Sequence, residues 1–459
     1  MSSTAPSSAS RTPTSVLLLC LACMTLEGYD VIAYGAALPA MLADQDWNLT
    51  VPQAGVLGSL TPIGMLVGAV LVGLLTDLLG RRRLVLVSVT VFSLAMVLCG
   101  IAPGVPVFAA GRVLVGIGVG GVLPSIAALV FEYSPRQRRN LNTALAFVGV
   151  GLGGALAAVV AATVVPALGF RAEYLIGGLA ALVVLPLAVR FLPESLVYLR
   201  ASGQDQAAER WIHRLGLDPA LIEPAGSAVE EQAGGRGRFA VLFARDRALM
   251  TILFCLTTFA SLLVLFGLYT WLPQLMRSAG YELGSALTFL IVLNVGTALG
   301  PVAVGRLADR IGSKPATAAS FLLAVIGIAV LSSPLPLGVL YVAVVLAGVG
   351  TVGTQILINV FIAGRYPTRI RATAIGTALA VGRLGGILGP VYGGILLSAQ
   401  LPTPVLFYAF AAPALLGAIL VALIPRGHAA EVPADTTDDP TTDPTTDPTT
   451  DPTTAASPS

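Results

Sequence analysis

Two carboxylates, Glu27 and Asp30, lie near the middle of an apolar stretch that covers residues 16–43. At about 1.5 Å per residue, a helix of this length crosses a hydrocarbon core of roughly 30 Å. An ionised acid at the centre of such a helix costs on the order of 2.5 to 3.5 kcal/mol on insertion. Glu27, Asp30 and Tyr34 follow one another at intervals of three and four residues, so they share one helical face. Because ionisable residues inside a membrane usually serve function, this face is predicted to bind protons.

Two of the 26 basic residues, Arg112 and Arg383, are also expected inside the membrane. A guanidinium in a low-dielectric cavity binds a carboxylate in a bidentate fashion, so either arginine could receive an anionic substrate. The alternative is that each arginine neutralises an acid of another helix, and for Arg112 both interpretations stay open. They also combine, because an arginine shared between Asp30 and a substrate carboxylate would link proton binding to substrate binding. For Arg383, a structural or gating contact is the preferred interpretation.

Further polar and aromatic groups in the apolar stretches complete a predicted substrate pocket. Tyr34, Asn294 and Asn359 offer a ring face and hydrogen-bonding groups. Trp271 stands near the outer end of its stretch, which favours an interfacial anchor over a substrate contact. Neither of the two histidines falls in an apolar stretch, so proton transfer within the membrane must depend on carboxylates.

The composition restricts the protein class. Of 459 residues, 56% are hydrophobic and only 11% are charged, and this balance fits a polytopic membrane protein with lipid around it. Nothing indicates a nucleic-acid partner. All four cysteines fall in apolar stretches, which argues against a disulfide framework and against a zinc site. No nucleophile, metal cluster or cofactor motif is found, so no catalytic residue, metal or cofactor is predicted, and an enzyme is disfavoured.

Apolar runs of spanning length occur twelve times. They lie near residues 16–43, 53–76, 84–103, 106–131, 141–165, 172–192, 248–275, 284–307, 316–333, 337–363, 372–398 and 404–424. Basic residues cluster after every second run, whereas the opposite connections hold only Arg171 and Arg277. By the positive-inside rule, both termini are therefore predicted to be cytoplasmic.

The chain also contains an internal repeat. GLLTDLLGRRR after the second run recurs as GRLADRIGSKP after the eighth, and YSPRQR after the fourth recurs as YPTRIR after the tenth. A repeat in this arrangement predicts two parallel six-helix halves. The expected domains are an N-terminal half at 16–192, a cytoplasmic linker at 193–247 and a C-terminal half at 248–424, with disordered tails at 1–15 and at 425–459, where TTDP repeats.

Twelve spans with G-x-L-x-D-x-x-G-R-R-R after the second resemble the major facilitator superfamily over essentially the whole folded chain. The resemblance implies an all-α membrane fold of twelve helices in two parallel six-helix halves. It also implies a cytoplasmic latch that breaks when the carrier opens inward. The residues that it assigns to gating are Asp77, Gly80, Arg81, Arg82 and Glu132, with Asp309 and Arg310 in the second copy. A purely topogenic role for the arginines is the alternative.

A finer resemblance is to the aromatic acid/proton symporter family. Its first span carries D-G-x-D where this chain has Glu27, Gly28, Tyr29 and Asp30, so the first acid is one methylene longer here. Three more stretches are similar to that family: GRVLVGIGVGGVLPS, EYSPRQRR and RYPTRIRATAIGTALAVGRLGGILGP. The resemblance implies proton-coupled import of a small aromatic or related organic acid, with Glu27 and Asp30 as the proton-carrying residues.

Two other transport functions stay open at this point. A proton antiporter for efflux usually carries G-x-x-x-G-P-x-x-G-G in its fifth span, whereas residues 149–162 read GVGLGGALAAVVAA without the Gly-Pro step. A symporter for a sugar, a dicarboxylate or nicotinate would share the architecture. The expected partners are a small organic acid, protons and membrane lipid, and the expected functional unit is a monomer.

Overall fold

The computed structural model describes residues 14–135, 138–215, 241–245 and 247–425. Most of the predicted tails and the middle of the predicted linker lie outside these residues. Twelve of the helices are long and apolar enough to cross a membrane, as the sequence predicts. They are α1 Thr14–Ala43, α2 Val51–Leu79, α3 Arg81–Gly100, α4 Val105–Glu132, α5 Arg139–Thr163, α6 in two pieces Arg171–Leu179 and Ala181–Phe191, α7 Ala248–Ser278, α8 Leu283–Ile311, α9 Ser313–Val330, α10 Leu337–Arg365, α11 Thr368–Ser398 and α12 Thr403–Leu423.

Tight turns separate consecutive helices at the repeated motif. Gly80 lies between α2 and α3 with φ +81°, and Gly312 lies between α8 and α9 with φ +87°. Glycine tolerates this left-handed region without the steric cost that a Cβ brings. The two copies of the motif therefore build the same turn, although only the first is followed by three arginines.

The same helix packing occurs twice in the described chain. In the first six helices, α1 packs against α5, and α4 packs against both α2 and α3. In the last six, α7 packs against α11, and α10 packs against both α8 and α9. The two sets meet where α2 contacts α11, α5 contacts α8 and α1 contacts α7. This repetition supports the proposed division of the chain into two halves.

The two sets of helices are closed against each other at one end. Ser59 of α2 donates a hydrogen bond to the carbonyl of Ile387 in α11, and Arg277 of α7 donates to the carbonyl of Pro39 in α1 (3.3 Å). Both contacts lie away from the basic connections. The structure is thus closed at the end opposite to the basic connections.

The first half of the described linker forms two short helices. Leu196–Ala201 begins at Ser195, whose side chain accepts a hydrogen bond from the backbone N–H of Tyr198. Asp205–Leu215 follows and buries Ala208 and Ile212 on one side.

Glycines allow several helix pairs to approach closely. Where α2 crosses α4, Gly64 and Gly116 face each other, and a Cβ on Gly116 would collide with backbone atoms of Thr61 and Gly64. These backbone atoms cannot move aside for a Cβ, whereas the end of a flexible side chain could. Small residues in this position let membrane helices pack backbone to backbone.

We expect Gly116→Ala to destabilise the α2–α4 contact by about 1–3 kcal/mol, which is the usual effect of overpacking. The matched control is Gly376→Ala in α11, where a Cβ meets nothing within 4 Å. There the substitution should be neutral or slightly stabilising, because alanine favours helix over glycine. Thermal unfolding of the purified protein in detergent measures both. Unfolding of Gly116→Ala at or above the wild-type temperature would contradict this packing.

Candidate functional site

A buried ion pair joins α1 to α4. Nη1 of Arg112 donates a hydrogen bond to Oδ1 of Asp30 over 3.3 Å, and the two residues are 2% and 0% exposed. Oδ2 of Asp30 and Nε of Arg112 are buried without a hydrogen-bond partner among the described residues. Each member of the pair thus has one polar atom with a hydrogen-bond partner and one without. It retains one carboxylate oxygen that can take a proton and one guanidinium N–H that can bind an anion.

Aromatic rings surround the guanidinium of Arg112. Its central carbon lies 5.1 Å from the ring centroid of Tyr34 and 6.0 Å from that of Tyr174. Phe108 packs edge-on against Tyr174 and lies near Tyr34 as well. The hydroxyl of Tyr34 donates to the carbonyl of Ala54 in α2, so this ring presents its face and not its hydroxyl. Such rings stabilise a cation and also suit the flat apolar body of an aromatic ligand.

The second predicted proton-coupling residue, Glu27, lies one helical turn before Asp30. It is 2% exposed, and its Oε2 has no hydrogen-bond partner among the described residues. The next residue, Gly28, packs directly on the backbone of Val150 in α5. The structure therefore brings Glu27, Asp30, Tyr34 and Arg112 to one region of the first six helices.

The other predicted substrate-binding residues lie on the last six helices. Asn294 of α8 donates to the carbonyl of Leu290 in its own helix (2.9 Å), and its amide oxygen faces Gly154 of α5. Arg383 of α11 donates to the carbonyl of Met65 in α2 (3.2 Å). Oδ1 of Asn359 in α10 is buried without a partner among the described residues. In the described part of the chain, no hydrogen bond joins these three side chains to the Asp30–Arg112 pair.

One polar residue of α10, Gln355, was not among the predicted pocket residues. Both amide atoms of Gln355 are buried and lack hydrogen-bond partners in the described chain. Gln355 precedes Asn359 by one helical turn, so the two amides lie on the same face. Two amide side chains four residues apart inside an apolar run could have predicted Gln355 as a pocket residue.

Trp271 corrects an expectation. It was predicted as an interfacial anchor, but it is 0% exposed, and its indole N–H donates to the carbonyl of Pro390 in α11 over 2.8 Å. Trp271 therefore links α7 to α11 from inside the protein.

The basic turn between α2 and α3 is held by acids from two other helix ends. Arg81 forms an ion pair with Glu132 at the end of α4, and the hydroxyl of Ser195 donates to the same carboxylate (2.8 Å). The backbone N–H of Arg82 donates to Oε1 of Glu194 (2.8 Å), which also packs against Gly80. This charged cluster ties α2, α3, α4 and the segment after α6 together.

Glu194 and Ser195 were not among the predicted gating residues, because both fall within the predicted linker. Their position could have indicated this role, because both residues directly follow α6 on the side of the basic connections, where an acid can pair with the arginines. The side chain of Asp77 lies outside the described part of the structure. Asp309 and Arg310, the gating candidates of the second repeat, are both exposed and form no ion pair in the described chain. The second repeat therefore lacks an equivalent of the Arg81–Glu132 pair among the residues described.

The arrangement of twelve helices is matched by known proteins. Residues 20–382 and 291–455 match the model of the Major Facilitator Superfamily. The chain belongs to this superfamily. A D-xylose–proton symporter of known crystal structure superimposes with a TM-score of 0.70 at 18% identity, over 90% of this chain and 98% of that one. The superfamily fold and the multi-pass location in the cell membrane follow, and the chain is a transporter and not an enzyme.

Two relatives of known function align with most of this chain. A benzoate transport protein of Acinetobacter baylyi is 35% identical over 418 residues, which are 89% of each chain. A gentisate transporter of Corynebacterium glutamicum is 37% identical over 403 residues, which are 87% of this chain and 85% of the relative. These relatives agree with the resemblance to aromatic acid transporters that the motifs indicate.

Proposed function

We propose that this superfamily member imports a small aromatic or related organic acid together with protons by alternating access. The observation that carries the proposal is the half-satisfied pair of Asp30 and Arg112, buried between tyrosine rings. The transport of benzoate and of gentisate by relatives supports the substrate class. A carboxylate and an aromatic ring are the two groups that a free guanidinium N–H and a ring face can bind.

The pair also supplies a way to couple substrate to protons. When a substrate carboxylate binds Arg112, it competes with Asp30 for the same cation. Asp30 then loses its counter-ion. Because an unpaired charge in a buried position is strongly destabilised, Asp30 takes up a proton. The carrier thus holds substrate and proton together, or neither. Glu27, one turn away, is the second group of this region that can hold a proton.

We further propose that the basic connections and both termini face the cytoplasm, as the positive-inside rule requires. In this orientation the structure is closed to the outside by the α1–α7 and α2–α11 contacts. Opening to the outside would break the hydrogen bond from Arg277 to Pro39 and that from Ser59 to Ile387. The charged cluster around Arg81 and Glu132 then moves as one rigid part of the first half. One chain forms the complete functional unit.

The remaining predicted pocket residues come from the second half. Asn359 and Gln355 carry unsatisfied amide groups in α10, and amides of this kind suit ring hydroxyls of a hydroxylated aromatic acid. Arg383 bridges α11 to α2 and is proposed to steady the contact between the halves. Asn294 sits between α5 and α8, where it can respond when the two halves move.

Uptake of labelled acids into proteoliposomes tests the proposal. The panel contains benzoate, hydroxybenzoates, protocatechuate, gentisate and nicotinate, with a dicarboxylate and a sugar as controls. With an inward proton gradient, we expect one aromatic acid to accumulate above equilibrium and an uncoupler to abolish the gain. Accumulation of the sugar or the dicarboxylate alone would reject the substrate class. Proton-driven loss of an aromatic acid from preloaded vesicles would favour efflux.

A further inference from the structure

Two amide side chains of α10, Gln355 and Asn359, lack hydrogen-bond partners inside the protein. Both amide atoms of Gln355 and Oδ1 of Asn359 are buried and unpaired among the described residues. A buried polar group without a partner destabilises the protein, because it has lost its hydrogen bonds to water and gained none in return. Groups of this kind are typical of a site that binds the polar part of a ligand.

The two amides lie on the side of α10 that is turned away from α8 and α9. Leu357, halfway between them in the sequence, packs in one cluster with Val304 of α8 and Ala316 of α9. Because a helix turns by about 100° per residue, the side chains two positions before and after Leu357 project to nearly the opposite side. Their unpaired amide atoms are buried, so this side of α10 is covered by protein and does not face lipid.

The helix contacts place α10 across the molecule from α4, the helix that carries Arg112. α4 contacts α1, α1 contacts α7 and α7 contacts α10, whereas no extensive contact joins α4 to α10 in the described chain. α4 and α10 hold equivalent places in the two repeated sets of helices, so they flank the α1–α7 contact from opposite sides. The unpaired guanidinium N–H of Arg112 and the unpaired amides of α10 therefore belong to opposite sides of the interface between the two sets.

We propose that Gln355 and Asn359 form a subsite that binds a ring hydroxyl far from the carboxylate of the substrate, so that the carrier selects acids hydroxylated at the meta or para position. This inference rests on the proposed function, since it assigns the carboxylate of the same substrate to Arg112. An ortho hydroxyl lies beside the carboxylate, at the Arg112 end of the ring, and does not reach α10.

The chemistry of the amides explains the selection. A phenolic hydroxyl donates one hydrogen bond and accepts others, and an amide offers both an oxygen and N–H groups to match it. An acid without a distant hydroxyl would bury the amides and leave them unpaired. Sites that are built to bind a hydroxyl reject analogues that lack it for this reason.

Equilibrium binding to the purified protein at one pH tests the subsite. The ligands are benzoate and its 2-, 3- and 4-hydroxy derivatives. We expect wild type to bind 3- or 4-hydroxybenzoate at least about tenfold more tightly than benzoate, which is the effect of roughly one net hydrogen bond. 2-Hydroxybenzoate should gain nothing over benzoate.

Two variants assign the preference to the amides. Gln355→Met and Asn359→Leu keep the size of each side chain and remove its polar atoms. Each should weaken the binding of the preferred hydroxybenzoate and leave that of benzoate unchanged, whereas loss of a merely structural residue would change both alike. The matched control is Gln274→Met, which removes another buried amide with an unpaired Oε1, near the closed outer end of α7. It should keep the wild-type ratio of the two Kd values.

The outcomes separate this inference from the proposed function. If wild type binds benzoate as tightly as the hydroxybenzoates, or if both variants keep the wild-type ratio, the subsite is overturned while the aromatic substrate class stands. If wild type binds none of these acids, the proposed function itself is overturned. If one variant binds neither ligand, the other variant decides. If neither variant binds, the wild-type comparison decides, and equal affinity for 2- and 4-hydroxybenzoate overturns the subsite.

Discussion

Asp30→Asn should leave the carrier unable to concentrate its substrate, while exchange of labelled for unlabelled substrate continues. Asparagine keeps the size of the side chain and can still accept a hydrogen bond from Arg112, but it can neither gain nor lose a proton. With one proton per monoanion, wild type accumulates about tenfold per pH unit of imposed gradient, because one unit equals about 1.36 kcal/mol. The variant should reach equilibrium and no more. Uptake and exchange in the same proteoliposomes measure both quantities.

The control for this substitution is Asp46→Asn, an exposed acid in the connection between α1 and α2. It changes the same functional group without touching the ion pair, and it should accumulate substrate as wild type does. If Asp30→Asn concentrates the acid as well as wild type, Asp30 is not the coupling residue. Loss of exchange together with uptake would show that Asp30 is needed for substrate binding itself.

Arg112→Gln should abolish transport and destabilise the protein. Removal of the cation leaves Asp30 as an uncompensated charge at 0% exposure, and breaking a buried pair in this way costs about 3–5 kcal/mol. Arg112→Lys retains the charge but not the planar fork that binds a carboxylate through two N–H groups. We therefore expect it to fold and to bind the substrate at least about tenfold more weakly, which is a loss of roughly 1.4 kcal/mol. Thermal unfolding and direct binding of the acid measure the two effects.

The double variant Asp30→Asn with Arg112→Gln separates stability from function. With no charge left in the pair, much of the stability should return, whereas transport should not. Arg210→Gln, on the exposed linker helix, is the matched control and should behave as wild type does. Full substrate affinity in Arg112→Lys, or unchanged stability in Arg112→Gln, would contradict the role given to this arginine.

The long apolar runs made the twelve helices predictable, because a helix needs about 20 mostly apolar residues to cross a bilayer. Residue types also pointed to Asp30 and Arg112, since charges at that depth need partners. Which acid meets the arginine depended on the relative height and rotation of α1 and α4. That geometry depends on how each helix packs on its other neighbours, such as α4 on α2 at Gly116, and only the folded chain shows these contacts.

Other parts of the site escaped prediction for related reasons. A helix rotates by about 100° per residue, so an error of one position sends a side chain to another face. Asn294 belongs to an apolar run as expected, yet its amide bonds to its own helix and contacts α5. Trp271 near a span end fits an interfacial anchor by frequency, but its buried indole N–H donates to the carbonyl of Pro390 inside the protein.

The most direct test of the account is the number of protons taken up when the substrate binds. Titration calorimetry of the purified wild type, in two buffers with different ionisation enthalpies, gives this number without any transport step. The account predicts about one proton per bound acid for wild type and close to none for Asp30→Asn, because proton uptake follows from substrate competition for Arg112. Binding of the acid to wild type with no proton uptake at any pH would contradict the shared use of Arg112 by Asp30 and the substrate.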